Sequence, residues 1–181
     1  MASTAVIVVD MLNPYDHEDA EPLMASVQQM LPHLRRLIDS ADSRDLEIVY
    51  VNDNHSDWSA GRSELVARAL DGKAPHLVEP IVPAEDLPFV VKARHSIFYQ
   101  TLLDYMLRQD GVDRIMLAGQ VTEQCILYSA LDGYVRHFSV ILSRDCVAHI
   151  DEEFADAALR MMQRNMHAEV ASTVEEALEL L

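Results

Sequence analysis

Positive charge is scarce in this 181-residue chain, with 14 Lys and Arg against 30 Asp and Glu and a formal net charge of −16. That balance excludes general nucleic-acid binding, which needs a basic stripe or patch. It does not exclude small charged substrates, because a pocket can differ locally from the whole surface. Long apolar runs are lacking too. None approaches the ~20 residues that span a bilayer, so no membrane contact is expected. The opening Met-Ala-Ser-Thr has no basic segment and no cleavage site, so no signal peptide is expected. Cysteine is limited to Cys125 and Cys146, which read as reduced thiols of a cytoplasmic protein. Repeats, low-complexity stretches and linkers are absent, and the length suits one domain covering residues 1–181.

Half of the residues are hydrophobic, which excludes disorder and allows a sizeable core. Residues 4–9 are a continuous apolar run ending at Asp10, as in a strand buried on both faces. Further strands are expected at Leu46–Val51, Phe89–Val91, Arg114–Ala118, Phe138–Leu142 and 168–171. Leu23, Val27, Met30, Leu31, Leu34, Leu37 and Ile38 recur at helical spacing, with a kink or restart expected at Pro32. Other helices are expected at Ser63–Leu70, at 100–109, from Ile126 to Arg136, around Phe154–Met162 and at Val174–Leu181. The acidic, turn-rich stretch 13–22 reads as a loop. Strands that alternate with helices imply an α/β fold, a mostly parallel sheet with helices on both faces. In such a sheet ligands bind beyond the strand carboxyl ends. Asp10, Asn52, Lys92 and Gly119 all fall there.

The chemistry gathers at those ends. Cys125 follows the fourth strand in Ala118-Gly119-Gln120-Val121-Thr122-Glu123-Gln124-Cys125, where a helix begins. The positive end of a helix dipole lowers thiol pKa, so this position predicts a nucleophile. A cysteine nucleophile needs a base and a group that holds the base in place. Asp10 can take the thiol proton, and Lys92 can hold that carboxylate and stabilise developing negative charge. Backbone amides at Thr122 and Cys125 can form an oxyanion hole. The sum is an acyl-transfer site. Cys146 has no such company and reads as structural, and the Met161-Met162 pair reads as core.

These pieces resemble the isochorismatase-like cysteine hydrolases. They are Val9-Asp10-Met11, Val91-Lys92 followed by His95-Ser96-Ile97-Phe98, and the run from Ala118 to Cys125, and the likeness extends from Ala5 to about Val170. The resemblance implies a three-layer sandwich around a six-stranded sheet and an Asp10–Lys92–Cys125 triad. It also implies a cis peptide before Thr122 that aims the oxyanion amides. Relatives in that family include nicotinamidases and carbamoylsarcosine-type amidohydrolases, which use the cysteine, and isochorismatases proper, which cleave a vinyl ether without it. Cys125 therefore favours hydrolysis of a small amide-type C–N bond through a thioester. It further implies a homo-oligomer, a dimer or tetramer, with exposed apolar helix faces as the physical cause.

Tyr15, Asn52, Trp58, Phe98, Val121 and Tyr128 are the candidate pocket residues, and Arg94 and His95 are candidates to bind a substrate carboxylate or cap a loop. The leading expectation is no cofactor. As the alternative, Asp53-Asn54-His55 has the Asp-x-His spacing of nicotinamidases, and His76 can supply a third ligand for zinc, iron or manganese. The contrasting reading is a thiol that senses oxidant or binds a ligand without hydrolysis.

Overall fold

The computed structural model describes residues 3–181. Six strands form one all-parallel sheet: β1 (Ser3–Val9), β2 (Glu47–Asp53), β3 (Phe89–Lys92), β4 (Val112–Gln120), β5 (Ser139–Ala148) and β6 (Glu169–Ala171). Their spatial order is β3-β2-β1-β4-β5-β6. Seven α-helices accompany them: α1 (Ala20–Asp42), α2 (Arg62–Leu70), α3 (Pro75–Val78), α4 (Leu103–Gln109), α5 (Leu127–Val135), α6 (Glu152–Asn165) and α7 (Val174–Leu180).

Side-chain alternation along β1 explains the layers. Val6 and Val8 point into a core shared with α1, α2, α3 and α7. Ala5, Ile7 and Val9 point into a second core shared with α4, α5 and α6. A strand buried on both faces carries apolar residues at every position, which is why residues 4–9 show no alternation. The order of strands reverses between β1 and β4, so the chain leaves their carboxyl ends in opposite directions and a crevice opens there. Asp10 and Cys125 both follow these two central strands.

Several elements differ from their expected extent. Helix α1 runs unbroken through Pro32. The missing Pro32 N–H would pair with the carbonyl of Gln28, and both residues are exposed, so the helix gives up that bond on its solvent side. Strand β5 runs on to Ala148, and its register with β4 shifts between Leu117 and Gly119. Pairing along a neighbour carries this strand past the apolar run that marks it in the sequence. The segment before α4 is turns rather than helix, so the helix expected from residue 100 begins at Leu103. Met162 is buried as expected, whereas Met161 lies on the exposed side of α6.

Gly119 sets the approach of β1 to β4. It adopts φ +114, and a Cβ there would lie 2.2 Å from the Val9 carbonyl oxygen and 2.9 Å from the Val9 nitrogen. Only glycine fits both the conformation and the backbone contact. Gly119→Ala is expected to lower unfolding stability by at least about 2 kcal/mol, read as a lower urea midpoint at unchanged m-value. An unchanged midpoint would show that β1 and β4 can part here at no cost.

Candidate functional site

Lys92 is the last residue of β3, two strands away from β1, and its side chain is fully buried. It reaches across β2 so that Nζ lies 2.8 Å from Asp10 Oδ2 and 3.6 Å from Asp53 Oδ2. The same ammonium lies 3.6 Å from Cys125 Sγ. Burial alone pulls a lysine pKa down, but the Asp10 carboxylate, with the Cys125 sulfur and the Asp53 carboxylate behind it, outweighs burial and holds Lys92 above its ordinary value. The group is therefore a fixed cation under the crevice.

Asp10 is held at several points. Its backbone takes the left-handed conformation, φ 56, which short polar side chains tolerate best among non-glycine residues. The Asp10 amide donates to the Val51 carbonyl at 2.9 Å, and the Asp53 amide donates to Asp10 Oδ1 at 2.7 Å. The Gln120 side-chain amide donates to the Asp10 carbonyl at 2.6 Å, and the Tyr15 hydroxyl donates to Gln120 Oε1 at 3.4 Å. Asn52 clamps the next residues, accepting from the Leu12 amide at 2.8 Å and donating to the Leu12 carbonyl at 3.1 Å. Tyr15 and Asn52 are thus a buried scaffold beneath the carboxylate.

Cys125 stands on a single π-type turn, Thr122–Ile126, that leads into α5. The Val121 carbonyl accepts from the amides of Gln124 and Ile126 and passes over that of Cys125. The cis peptide is Gln120–Val121, one position earlier than the resemblance implies. Thr122 Oγ1 donates to the Ala148 carbonyl at 2.9 Å, and Glu123 Oε1 accepts from the amides of Ile150 and Asp151, each at 2.9 Å. The turn is therefore tied to the end of β5. The thiol does not match the low pKa expected at a helix start. Burial pushes it up first, the Asp10 charge adds to that, and Lys92 opposes only in part. At neutral pH the sulfur carries its proton and needs a base.

A pocket of about 230 Å3 opens over these groups, lined by Asp10, Asp53, His55, His95, Gln120, Val121 and Cys125, with Asn13, His17 and Asp19 from the segment after β1. Val121 lines it as expected. Tyr128 stands at its edge, its ring 5.2 Å from the ring of His95. His95 Nδ1 lies 3.6 Å from Cys125 Sγ, closer to the thiol than a carboxylate-binding or loop-capping role suggests. Trp58 lies outside the pocket, 84% exposed, in an adjoining hollow with Arg94. Phe98 is a correction: it is buried against Phe138, with centroids 5.5 Å apart, because an apolar ring after a strand end fills the core under α5. Sequence reasoning passed over Gln120, His17 and Asp19. A polar residue ending an apolar strand, as Gln120 does, was the available signal. A second hollow of about 280 Å3 lies between α1 and α6, where Ser26 pairs with His149, His33 with Asp145 and Arg144 with Asp156.

The expected metal ligands do not converge. Asp53 and His55 line the same pocket, but Asp53 Oδ1 accepts from the His55 amide at 2.8 Å while Oδ2 faces Lys92. His55 Nε2 lies 2.9 Å from the Leu12 carbonyl. His76 is exposed on α3, away from the pocket lining. Among the described residues no three His, Cys, Asp or Glu side chains form a group that could hold an ion. The buried ammonium beside Asp53 also repels a divalent cation, so this donor set does not fit one.

A family model, the Isochorismatase domain, matches residues 4–175. The uncharacterized isochorismatase family protein YaaI of Bacillus subtilis is 29% identical over 178 residues, 98% of each chain. An isochorismatase-like hydrolase from Alkaliphilus metalliredigens superposes with a TM-score of 0.79 at 27% identity, over 99% of both chains. A pyrazinamidase of Pyrococcus horikoshii, solved in complex with zinc, superposes at 0.73 and 27% identity, over 93% of this chain and 98% of that one.

The electrostatics give a signed prediction. Asp10→Asn removes a charge that raises the Cys125 pKa and leaves the Lys92 charge that lowers it. Alkylation of Cys125 by iodoacetamide at pH 7.5 should therefore become faster, by about threefold for each unit the pKa falls, since the tenfold gain in thiolate is partly offset by its lower nucleophilicity. An unchanged rate would show that the carboxylate does not govern the thiol, and a slower one that it promotes rather than suppresses the reactive thiolate.

Proposed function

Since this chain belongs to the isochorismatase family of hydrolases, we propose that it cleaves a small amide-type C–N bond through a thioester on Cys125. The observation that carries the reading is the buried ammonium shared by base and nucleophile, 2.8 Å from Asp10 and 3.6 Å from Cys125 Sγ. The name of the Pyrococcus horikoshii pyrazinamidase, an amide-cleaving relative, supports the same bond class.

In this mechanism Asp10 takes the Cys125 proton as Sγ attacks the carbonyl carbon. The amides of Thr122 and Cys125 receive the negative charge on the carbonyl oxygen. Asp10 then gives its proton to the leaving nitrogen, the C–N bond breaks, and ammonia or an amine departs. Water attacks the thioester, loses a proton to Asp10 and releases the acid, and the proton returns to Sγ. Lys92 stays protonated throughout and keeps the carboxylate in place. A thiol that rests protonated needs this arrangement, because with little thiolate at rest its proton must leave as Sγ attacks. His95 stands on the solvent side of Sγ, where the hydrolytic water enters. A pocket of about 230 Å3 suits a small substrate, and specificity lies with the residues after β1, with the 52–62 segment and with residues 93–100.

The same reading places the enzyme in the cytoplasm as a homo-oligomer of single-domain chains. Two free cysteines support the first point, and exposed apolar helix residues support the second. No helix among the described residues is long and apolar enough to cross a membrane.

Ammonia release from a panel of small amides and ureido acids tests the reaction. Cys125→Ala and Asp10→Asn are each expected to reduce turnover by at least about 1,000-fold. Mass spectrometry of quenched wild-type reactions should show an acyl adduct on Cys125. Full activity in either variant, or no release from any member of the panel, would sink the reading.

A further inference from the structure

The pocket over Cys125 has a sign. Asp10, Asp19 and Asp53 line it, and no Lys or Arg does. Lys92 lies beneath with its side chain fully buried, and its ammonium is already engaged by Asp10 and Asp53. Three carboxylates against one ammonium leave a net negative site. His17, His55 and His95 also reach the lining. Of these, His55 Nε2 meets the Leu12 carbonyl at 2.9 Å and His95 Nδ1 faces Cys125 Sγ at 3.6 Å. A carboxylate entering this pocket finds no fixed cation to pair with.

Asp19 is the carboxylate of the three with no other engagement. It is the N-cap residue of α1, a position where Asp ordinarily accepts from an amide of the first turn. Here the side chain makes no such bond, and only the main-chain carbonyl accepts, from the Leu23 amide at 3.3 Å. Arg68 reaches the same segment but pairs with Asp16, at 3.8 Å. Among the described residues Asp19 has no ion-pair partner. Its partly buried carboxylate lines the pocket with its charge uncompensated. Asp16, Glu18 and Glu21 flank it, and no Lys or Arg occurs before Arg35. The positive end of the α1 dipole favours negative charge, and these side chains already supply it, so an anionic ligand gains little from the helix start.

We propose that the substrate of this pocket is an amide that carries a positive charge, an ammonium or guanidinium group away from the bond that breaks, and that Asp19 is the residue that recognises it. A cation seated there regains as an ion pair what it loses in hydration, and it gives Asp19 the partner that the chain does not provide. A carboxylate in the same place meets like charge at short range. A neutral group covers Asp19 without pairing it, which costs the carboxylate part of its hydration. At longer range the chain's net charge of −16 draws cations toward the mouth and turns anions away. This substrate class rests on the reading of the pocket over Cys125 as the site of C–N cleavage, and adds to it a sign and a recognising residue.

Charged thiol reagents read the sign of the pocket without any turnover. Cys125 is modified at pH 8, above the ordinary imidazole range, by the cationic aminoethyl and the anionic sulfonatoethyl methanethiosulfonates. The ratio of the two rates is divided by the same ratio for β-mercaptoethanol, and Cys125→Ala protein gives the background from Cys146. The normalised ratio is expected to favour the cation by about tenfold or more at low salt and to fall as salt rises. Asp19→Asn should lower it by roughly threefold or more. Asp113→Asn, the same charge change on an exposed residue at the opposite end of β4, should leave it unchanged. In the ammonia-release panel, amides that bear an amino group should turn over ahead of ureido acids, and Asp19→Asn should raise their KM with little change in kcat. A wild-type ratio of one or below overturns the proposal even if Asp19→Asn fails to fold. A ratio that folded Asp19→Asn leaves unchanged, or faster turnover of ureido acids, overturns it as well. No release from any amide, with the ratio as expected, would overturn the hydrolytic reading while upholding the preference of the pocket for cations.

Discussion

Everything at the crevice depends on one buried cation. Placing an ammonium where water cannot reach it costs several kcal/mol unless negative charge meets it directly. Lys92 meets two carboxylates and a thiol within 3.6 Å, which is why it stays charged. The requirement runs outward from there. Asp10 has to turn back into the left-handed conformation to bring its carboxylate over the strand end, and that turn is secured through its amide, its carbonyl and its side chain. Asp53 is drawn into the same cluster, with one oxygen on the His55 amide and the other facing Lys92. The Asp-x-His spacing is therefore present while both Asp53 oxygens are engaged, a distinction that spacing alone does not carry.

Sequence reasoning reached the fold because the sheet is parallel and doubly covered. A strand buried on both faces, such as β1, has no alternation to confuse, and its apolar run stops where the chain leaves the sheet. Asp10 and Lys92 could be read from that boundary. The limits arose where pairing or water decides. β5 continues past its apolar run because β4 and β6 carry it, and α1 passes Pro32 because the freed carbonyl faces solvent. Phe98 looked like pocket lining from its distance along the chain after Lys92. In space it lies under Gly133, where an added Cβ would meet it at 3.4 Å. Distance along a loop says nothing of which side a ring faces.

The thiol shows two local rules in conflict. A helix start stabilises a thiolate, while burial and a neighbouring carboxylate oppose it. Here the second pair prevails, since the residue sits on a π-type turn in the mouth of the crevice, beside Asp10. Neither Cys125 nor its flanking residues record this in the sequence, because Asp10 lies more than a hundred positions earlier. Under the proposed mechanism the outcome is useful. A sulfur that keeps its proton is inert to stray electrophiles, and reactivity appears only when a substrate carbonyl and the base are both in place.

The inverted packing of α5 joins the site to the surface. Cys125 can stand over the switch point only if the helix behind it lies close to the sheet. Gly133 permits that: a Cβ would come within 2.9 Å of Ile115 Cδ1. Ser129 and Ala130 keep the rest of that inner face small. A helix seated so tightly has no room beneath it for large side chains, so Tyr128, Leu131 and Val135 are left on the outside. Placing Cys125 and creating an apolar outer face are then two results of one packing choice. Any change that enlarged the inner residues to cover more apolar surface internally would lift the helix and carry Sγ away from Lys92 and Asp10.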